Sequence, residues 1–180
     1  MTSKPVLSAA VSLMALAVSL PASALTYTYA ANMNGPSEPS PSLGFGTAVV
    51  VFDDSALTVT VTELWANLSG GVTGNHIHCC TAVAGTGTAG ISLGFTGVPS
   101  VATGFYTSTF TLSSASFGTL LTGTAAGKAY VNMHTSAFPG GEIRGFLIGP
   151  PAVPEPGTYA MMAAGLVALG WLARRRNTTV

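Results

Sequence analysis

The sequence predicts an all-β protein whose strands form an antiparallel sandwich or barrel. Apolar residues alternate with polar ones over short runs, as at Leu57, Val59 and Val61 between threonines, which is typical of a half-buried strand. Gly, Pro or Asn occurs in nearly every gap between such runs. No segment of ten or more residues carries a helical apolar stripe. Seven or eight short strands at this spacing favour a sandwich or barrel.

The predicted strands are spread evenly over the middle of the chain. Besides the run around Val59, they cover Tyr27–Ala31, Thr47–Phe52, Val72–His78, Phe105–Leu112, Lys128–Thr135 and Glu142–Ile148. The segment Asn34–Leu43 contains three prolines, so it cannot pair continuously and is expected to be an ordered loop or an edge. The Gly-, Ala- and Thr-rich segment Thr81–Gly90 is expected to be a mobile surface loop.

Composition excludes two broad classes of protein. The chain has 180 residues, of which 48% are hydrophobic and 7% charged, with zero formal net charge and a mean hydropathy of +0.52. Between the two hydrophobic ends Lys128 and Arg144 are the only basic residues, which excludes a nucleic-acid binder that works through bulk electrostatics. Intrinsic disorder is excluded because disordered chains combine low hydrophobicity with high net charge. We therefore predict one exported domain between two processing segments.

Residues 1–24 have the pattern of a signal peptide. Lys4 precedes the uncharged run Val6–Leu20, and an Ala-Ser-Ala cleavage motif ends at Ala24. The apolar run is short for the roughly 20 residues that a spanning helix needs, which argues against an uncleaved anchor. We expect signal peptidase to cleave before Leu25, so that the exported domain begins there.

A second hydrophobic segment follows the domain predicted at residues 25–149. A Pro-rich linker at 150–157 leads into the apolar stretch Thr158–Ala173, and residues 158–180 are predicted to form a transmembrane helix with an Arg-rich tail. The distinctive residues are Pro154, Glu155 and Pro156 in the linker and Arg174, Arg175 and Arg176 behind the apolar stretch. The arginines are expected to hold this end in the cytoplasm by the positive-inside rule.

The order of Pro-Glu-Pro, short hydrophobic helix and Arg cluster resembles the PEP-CTERM sorting signal of Gram-negative bacteria. The resemblance implies a transient inner-membrane intermediate that is recognised by an exosortase. It also implies release near the Pro-Glu-Pro and delivery to the cell surface or to an exopolysaccharide matrix. A plain tail anchor is the alternative interpretation.

Two polar motifs contain all three histidines. His76 and His78 flank Ile77, so on a strand both imidazoles share one face while Ile77 points to the core. The third, His134, shares a face with Asn132 on the predicted strand Lys128–Thr135. Because alternate positions on one strand and a position on its neighbour can converge, the three imidazoles are candidate ligands for one copper or zinc ion with an open position. The alternative is that they hydrogen-bond to neighbouring groups and hold two strands together.

The adjacent Cys79 and Cys80 are weaker candidate ligands. Two cysteines in an exported protein normally form a disulfide. Neighbouring Cα atoms are about 3.8 Å apart across a trans peptide, which is below the usual disulfide range. We favour an oxidised vicinal ring or a free pair over an intermolecular link, and thiolate ligation beside the histidines stays open.

The motifs NHIHCC, GKAYVNMHT and FPGGEIRG, in this order and at this separation, resemble the CHRD domain. The stretch from Ala31 to Gly46, with its Gly-Pro-Ser-Glu-Pro, is similar to that family's opening motif, and the resemblance spans about residues 26–148. It implies an immunoglobulin-like β-sandwich without an established enzymatic role. It also brings Asn132, Glu142 and Arg144 into a partly buried polar cluster beside the histidines, where we expect Glu142 and Arg144 to form an ion pair.

We therefore predict an exported, non-enzymatic protein of the cell surface or of an exopolysaccharide matrix, without a cofactor. The alternative is a mononuclear copper or zinc module, or a redox module, displayed in the same place. The sequence argues against a copper–zinc superoxide dismutase, whose dinuclear site needs more than three histidines. No Gly-x-Ser-x-Gly elbow of a hydrolase is present either.

Overall fold

The computed structural model describes residues 25–149, 161–169 and 174. It confirms an antiparallel β fold. The strands are β1 (Thr26–Asn34), β2 (Phe45–Asp53), β3 (Thr58–Ala66), β4 (Val72–His78), β5 (Ile91–Gly94), β6 (Gly104–Thr111), β7 (Tyr130–Thr135) and β8 (Ile143–Phe146), and one helix, α1 (Ser114–Ala125), precedes β7.

Much of the two predicted processing segments lies outside the described residues. These undescribed parts include the signal peptide at 1–24, the linker with Pro154, Glu155 and Pro156, and the residues Arg175 and Arg176. Within the predicted sorting helix, residues 161–169 are helical and exposed. Among the residues that are described, no helix has the length and apolarity needed to cross a membrane.

All eight strands belong to one sheet in the order β5-β4-β7-β8-β1-β2-β3-β6. The sheet curls, and buried residues from both of its ends pack into one core. We call β1, β2, β3 and β6 the long-strand half, and β4, β5, β7 and β8 the short-strand half. The two meet where Asn34 pairs with Arg144 and Ala30 with Ile148. The core draws only on residues within 25–149, so this segment is expected to fold by itself.

The long-strand half follows the alternation seen in the sequence. Val59 and Val61 on β3 are fully buried, while the threonines between them face outward. Thr60 contacts Thr109 at 2.9 Å and Thr62 contacts Thr107 at 3.1 Å between hydroxyl oxygens. The outer face of β3 and β6 therefore carries a ladder of hydroxyl groups, and the paired side chains of Leu64 and Phe105 are exposed beyond it.

In the short-strand half, β7 and β8 are buried on both faces. On β7, Tyr130, Val131, Asn132 and Met133 are each at most 3% exposed, although successive residues point to opposite sides. Burial of both sides requires a cover on the outer face, and two loops provide it.

The covering loops are the Pro-rich loop at residues 35–44 and the segment 81–90. Arg144 of β8 donates hydrogen bonds to both, from Nε to the carbonyl of Ser37 and from Nη1 to the carbonyl of Gly87 at 3.3 Å. In addition, the amide of Gly85 donates to the carbonyl of Gly127 at 2.9 Å. The segment expected to be a mobile surface loop is thus exposed yet attached to the sheet at several points.

The helix α1 contradicts the expectation that no helix interrupts the strands. Its sequence is rich in Ser, Thr and Gly, which are poor helix formers. Ser113 caps its first turn by accepting from the amide of Ser116 at 3.2 Å. Phe117 and Leu120 are buried in the core, and the Phe117 ring lies 5.8 Å from that of Phe52. Tertiary packing therefore stabilises a helix that local propensity does not favour.

Candidate metal centre

Strand register brings the three histidines together. β4 and β7 pair so that His76 lies opposite Asn132 and His134 lies opposite Gly74. His76 and His78 occupy alternate positions on β4, and Ile77 between them is fully buried in the core. All three imidazoles therefore project from the outer face of the short-strand half, beneath the covering loops.

The three rings are close enough to share one ion. One ligating nitrogen from each of His76, His78 and His134 lies within 4.8 Å of the other two. The ring centroid of His76 is 4.7 Å from that of His78 and 4.6 Å from that of His134. His76 is thus in the middle of the cluster.

Backbone carbonyls determine which nitrogen of two rings carries the proton. His78 Nδ1 lies 2.8 Å from the carbonyl oxygen of Ala89, and His134 Nδ1 lies 2.8 Å from that of Pro139. Because a carbonyl only accepts, each Nδ1 is the protonated donor in a neutral ring. The lone pair of each ring is then on Nε2. Such a carbonyl contact also orients metal-binding histidines in proteins.

The nitrogens that remain have no partner. His76 Nδ1, His78 Nε2 and His134 Nε2 are shielded from solvent and find no hydrogen-bond partner among the described residues. A buried polar atom left in this way typically destabilises a fold by about 1–3 kcal/mol. Each of the three rings has one such atom, and the rings lie close enough for one nitrogen of each to reach a shared cation.

Electrostatics keeps His76 and His78 neutral. Burial, followed by the neighbouring His134 and His78, lowers the pKa of His76 to about 4. Burial also lowers the pKa of His78, although the hydrogen bond to Ala89 opposes that effect. At neutral pH both rings therefore present lone pairs without first losing a proton, as metal ligation requires.

The cysteines are bonded to each other. Cys79 and Cys80 form a vicinal disulfide, so neither sulfur offers a thiolate ligand. Both sulfurs pack against α1, where a Cβ built on Gly123 would lie 2.2 Å and 2.3 Å from them. The two cysteines therefore contribute to packing against the helix, and the histidines alone supply ligands in this state.

The expected ion pair between Glu142 and Arg144 is wrong. Within the described domain, Arg144 Nε instead lies 3.3 Å from Glu38 Oε2 in the Pro-rich loop. The Arg144 guanidinium also lies 5.0 Å from the centroid of the Tyr130 ring, which stacks on His78 at 4.7 Å between ring centroids. Arg144 and Glu38 are far apart in the sequence, so the sequence alone does not predict this contact. It forms because the Pro-rich loop folds over β8.

Glu142 has a different set of partners. Its fully buried carboxylate accepts from Ser42 Oγ at 2.6 Å, from the Ser69 amide at 2.7 Å and from the Thr135 hydroxyl. Burial by itself raises the pKa of Glu142, but hydrogen bonds from Ser42, Thr135 and Ser69 outweigh it and lower the pKa overall. This carboxylate connects the Pro-rich loop, the β3–β4 loop and the end of β7.

Asn132 joins the polar cluster through Glu38. It is 3% exposed and lies opposite Arg144 in the sheet register. Burial raises the pKa of Glu38, and the opposing effects of Arg144, His134 and a hydrogen bond with Asn132 only reduce that rise. The predicted cluster thus divides into two groups. Asn132 and Arg144 interact with Glu38, whereas Glu142 has its own set of hydrogen-bond donors.

Sequence reasoning missed Glu38, Tyr130 and the two carbonyls that orient the histidines. Glu38 lies in the Gly-Pro-Ser-Glu-Pro segment, where a lone carboxylate among prolines was an available signal. Tyr130 shares a face with Asn132 and His134 in the alternation of β7. The carbonyls of Ala89 and Pro139 leave no signal in the sequence, because every residue has one.

Comparisons with known proteins identify two segments. A protein-family model for the CHRD domain matches residues 29–147, and one for the PEP-CTERM protein-sorting motif matches residues 152–176. No curated protein and no solved structure matches the chain. The PEP-CTERM motif marks the chain for export, for processing by an exosortase and for the cell surface of a Gram-negative bacterium.

Proposed function

The chain belongs to the CHRD domain family, and from that premise we propose that it is an exported surface module which binds one copper or zinc ion. The ligands are His76, His78 and His134. The observation that carries this proposal is the convergence of three imidazoles, each of which has one solvent-shielded nitrogen without a partner. Histidines that served only to join strands would use those nitrogens in hydrogen bonds.

The spacing of the nitrogens suits a metal ion after a small adjustment. An ion at about 2.0 Å from each nitrogen would hold the three about 3.5 Å apart, against the present limit of 4.8 Å. Rotations of the side chains that move each ring by about 1 Å close this difference. Imidazole nitrogen is a suitable donor for both copper and zinc.

We propose binding without catalysis. The acidic groups near the cluster are already engaged, since Glu38 pairs with Arg144 and the Glu142 carboxylate accepts three hydrogen bonds. Neither is therefore positioned as a general acid or base that acts on a second molecule. The protein then buffers or presents a metal at the surface.

Metal titration of the domain at residues 25–149 tests this function. We expect one equivalent of copper or zinc to bind, with the loss of at least tenfold in affinity in His78→Ala and in His134→Ala. Thr107→Ala, on the outer face of the long-strand half, is the matched control and should bind as the wild type does. Equal binding by the wild type and both histidine variants would overturn the proposal, provided that circular dichroism shows them folded.

A second candidate function is association with an exopolysaccharide matrix. The observation that favours it is the outer face of β3 and β6, which directs only uncharged side chains outward and carries the threonine hydroxyl ladder. Such a face offers hydrogen bonds to a sugar polymer without repelling it. Co-sedimentation with the host's own exopolysaccharide should fall in a Thr60→Val, Thr109→Val double variant, and unchanged sedimentation would refute this role.

The route to the surface includes a proposed inner-membrane intermediate. The apolar stretch at 158–173 would hold the exported domain at the membrane until an exosortase acts near Pro154, Glu155 and Pro156. Replacing these three residues by alanine should retain the domain in the inner-membrane fraction. Full-length tail on protein recovered from outside wild-type cells would instead identify the segment as a plain anchor.

A further inference from the structure

We propose that the ion held by the three histidines is cuprous copper, Cu(I), in three-coordinate form and without a bound water. This inference rests on the proposed metal-binding function and names the ion that the site prefers. It follows from three features of the cluster: the shielding of its nitrogens, the lack of a fourth ligand and the charge around it.

Shielding argues against a hydrated ion. One nitrogen of each ring, Nδ1 of His76 and Nε2 of His78 and His134, is shielded from solvent, although parts of the rings are exposed. An ion lying among these nitrogens is therefore screened by the rings themselves and by the segment 81–90, whose Ala89 carbonyl is bonded to His78. A zinc site with three protein ligands normally completes its tetrahedron with water or substrate, and this cluster leaves little access for one.

Within the described domain, no thiolate, free carboxylate or further histidine is available as a fourth ligand, and the unpaired amide oxygen of Asn132 is a hard donor of the kind that suits Mg²⁺ or Ca²⁺. The sulfurs of Cys79 and Cys80 are joined in a disulfide. The carboxylate of Glu142 is held by Ser42, Ser69 and Thr135. The remaining nearby carboxylate, Glu38, is paired with Arg144. Three nitrogen ligands satisfy Cu(I), which accepts trigonal coordination, whereas Zn(II) requires more.

Charge points the same way. The three imidazoles are neutral ligands, and the nearest charged groups, Glu38 and Arg144, cancel each other. The desolvation penalty of an ion rises with the square of its charge, so a divalent ion meets about four times the penalty of a monovalent one. With no uncompensated carboxylate to offset that penalty, the site favours a singly charged ion.

Competition for metal distinguishes Cu(I) from the divalent ions. The metal-free domain at residues 25–149 is titrated anaerobically with Cu(I) held by bicinchoninate, and separately with Zn(II) and Cu(II). We expect one Cu(I) per chain, bound at least 100-fold more tightly than Zn(II), and X-ray absorption showing three-coordinate Cu(I) with imidazole ligands and no fourth ligand. His134→Ala, which truncates a half-exposed ring, should abolish this binding, while Thr107→Ala should leave it unchanged.

Two outcomes would overturn the inference in distinguishable ways. Tighter binding of Zn(II) or Cu(II), or a fourth ligand on the bound ion, would refute three-coordinate Cu(I) and leave the metal-binding function intact. Failure of the folded wild-type domain to bind any of the three ions would refute both the function and the inference.

Discussion

The two halves of the sheet use the same antiparallel pairing for different purposes. The long-strand half has strands of eight or nine residues, with a buried apolar face and an outer face that carries the hydroxyl ladder and some exposed apolar side chains. The short-strand half has strands of four to seven residues, contains all three histidines, and is buried on both faces along β7 and β8. Polar chemistry in this protein is therefore located where loops cover the outer face of the sheet.

This difference shows how one sheet provides both a scaffold and a site. In the long-strand half, burial on one side alone stabilises the strands. The side chains on the outer side therefore need only be compatible with solvent. In the short-strand half, every outward polar group must find a partner beneath the loops. Three histidine nitrogens lack such a partner, as do Glu38 Oε2 and Asn132 Oδ1. We assign a ligand to the histidines because one nitrogen of each ring lies within 4.8 Å of the other two.

The largest expected effect concerns how each half buries a glutamate. Glu63 on β3 is 1% exposed and accepts a hydrogen bond from Asn75 Nδ2 at 2.6 Å. Burial raises the pKa of Glu63 from 4.5 to about 8, despite the opposing hydrogen bond from Asn75. Glu63 Oε1 and Asn75 Oδ1 both lack hydrogen-bond partners. A proton on the Glu63 carboxyl group provides a donor for Asn75 Oδ1.

The sign of the resulting pH dependence follows from the raised pKa. The contribution of neutral Glu63 to stability is complete below the ordinary value of 4.5 and is lost as pH rises through about 8. The slope is about 1.4 kcal/mol per pH unit, or roughly 5 kcal/mol between pH 4.5 and pH 8. Urea unfolding at pH 5 and pH 8 should reveal this loss in the wild type and not in Glu63→Gln. Equal slopes in both proteins would contradict a buried neutral Glu63.

Glu142, in the short-strand half, should respond in the opposite direction. Because its pKa is lowered, its contribution is present above 4.5 and is lost as pH falls through the lowered value. Glu142→Gln should therefore reduce the acid sensitivity of unfolding while lowering stability at pH 7. An acid limb as steep as that of the wild type would show that the three hydrogen bonds to Glu142 do not stabilise its charged form.

The next largest effect is expected from Arg144→Ala. Removing the guanidinium leaves Glu38 without its cation, and losing one partner of a buried pair typically destabilises a protein by about 3 kcal/mol. The double variant with Glu38→Gln should recover part of the loss, because no carboxylate is then left unpaired. Thermal unfolding measures the stability of the two single variants and the double variant. If the loss in the double variant equals the sum of the two single losses, Arg144 and Glu38 do not stabilise the protein as a pair.

A smaller effect is expected where α1 packs on the short-strand half. Gly123→Ala places a methyl group against both sulfurs of the Cys79–Cys80 disulfide, and such overpacking costs about 2 kcal/mol. Gly118 on the same helix has nothing within 4 Å of a built Cβ. Gly118→Ala should therefore stabilise the domain by up to about 1 kcal/mol. Similar melting temperatures for the two variants would contradict close packing at Gly123.

The smallest effect is expected on the outer face of the long-strand half. Thr109→Val removes one rung of the hydroxyl ladder, an exposed hydrogen bond of 2.9 Å with Thr60. Valine also suits a strand, so stability should change by no more than about 0.5 kcal/mol. A loss above 1 kcal/mol would show that the ladder is structural and would weaken the contrast between the halves.

The contrast also explains which elements the sequence could predict. The alternation around Val59 and Val61 predicted β3 because only one of its faces is buried. Leu57 seemed to begin that run but lies in the preceding turn with a φ of +53°, since alternation alone does not locate a strand's first residue. The helix α1 was missed because tertiary contacts of Phe117 and Leu120 stabilise it against weak local propensity.

The sequence could predict the candidate ligands of the site but not the residues that surround them. The spacing of His76 and His78, with His134 on another strand, is enough by itself to indicate one cluster, because strand alternation fixes the face of each ring. The pairing of Arg144 with Glu38 joins residues far apart in the chain, and only the folded Pro-rich loop brings them together. The neighbouring Glu142 was the nearer partner in sequence, but hydrogen bonds from Ser42 and Ser69 engage it elsewhere.

Elemental analysis of the protein recovered from the cell surface tests the central claim most directly. We predict one copper or zinc atom per wild-type chain, and none in a His78→Ala chain that is exported and folded. The Thr107→Ala chain, altered on the opposite half of the sheet, should retain its full metal content. Wild-type and His78→Ala proteins with the same metal content, or a wild-type protein without metal, would contradict the claim.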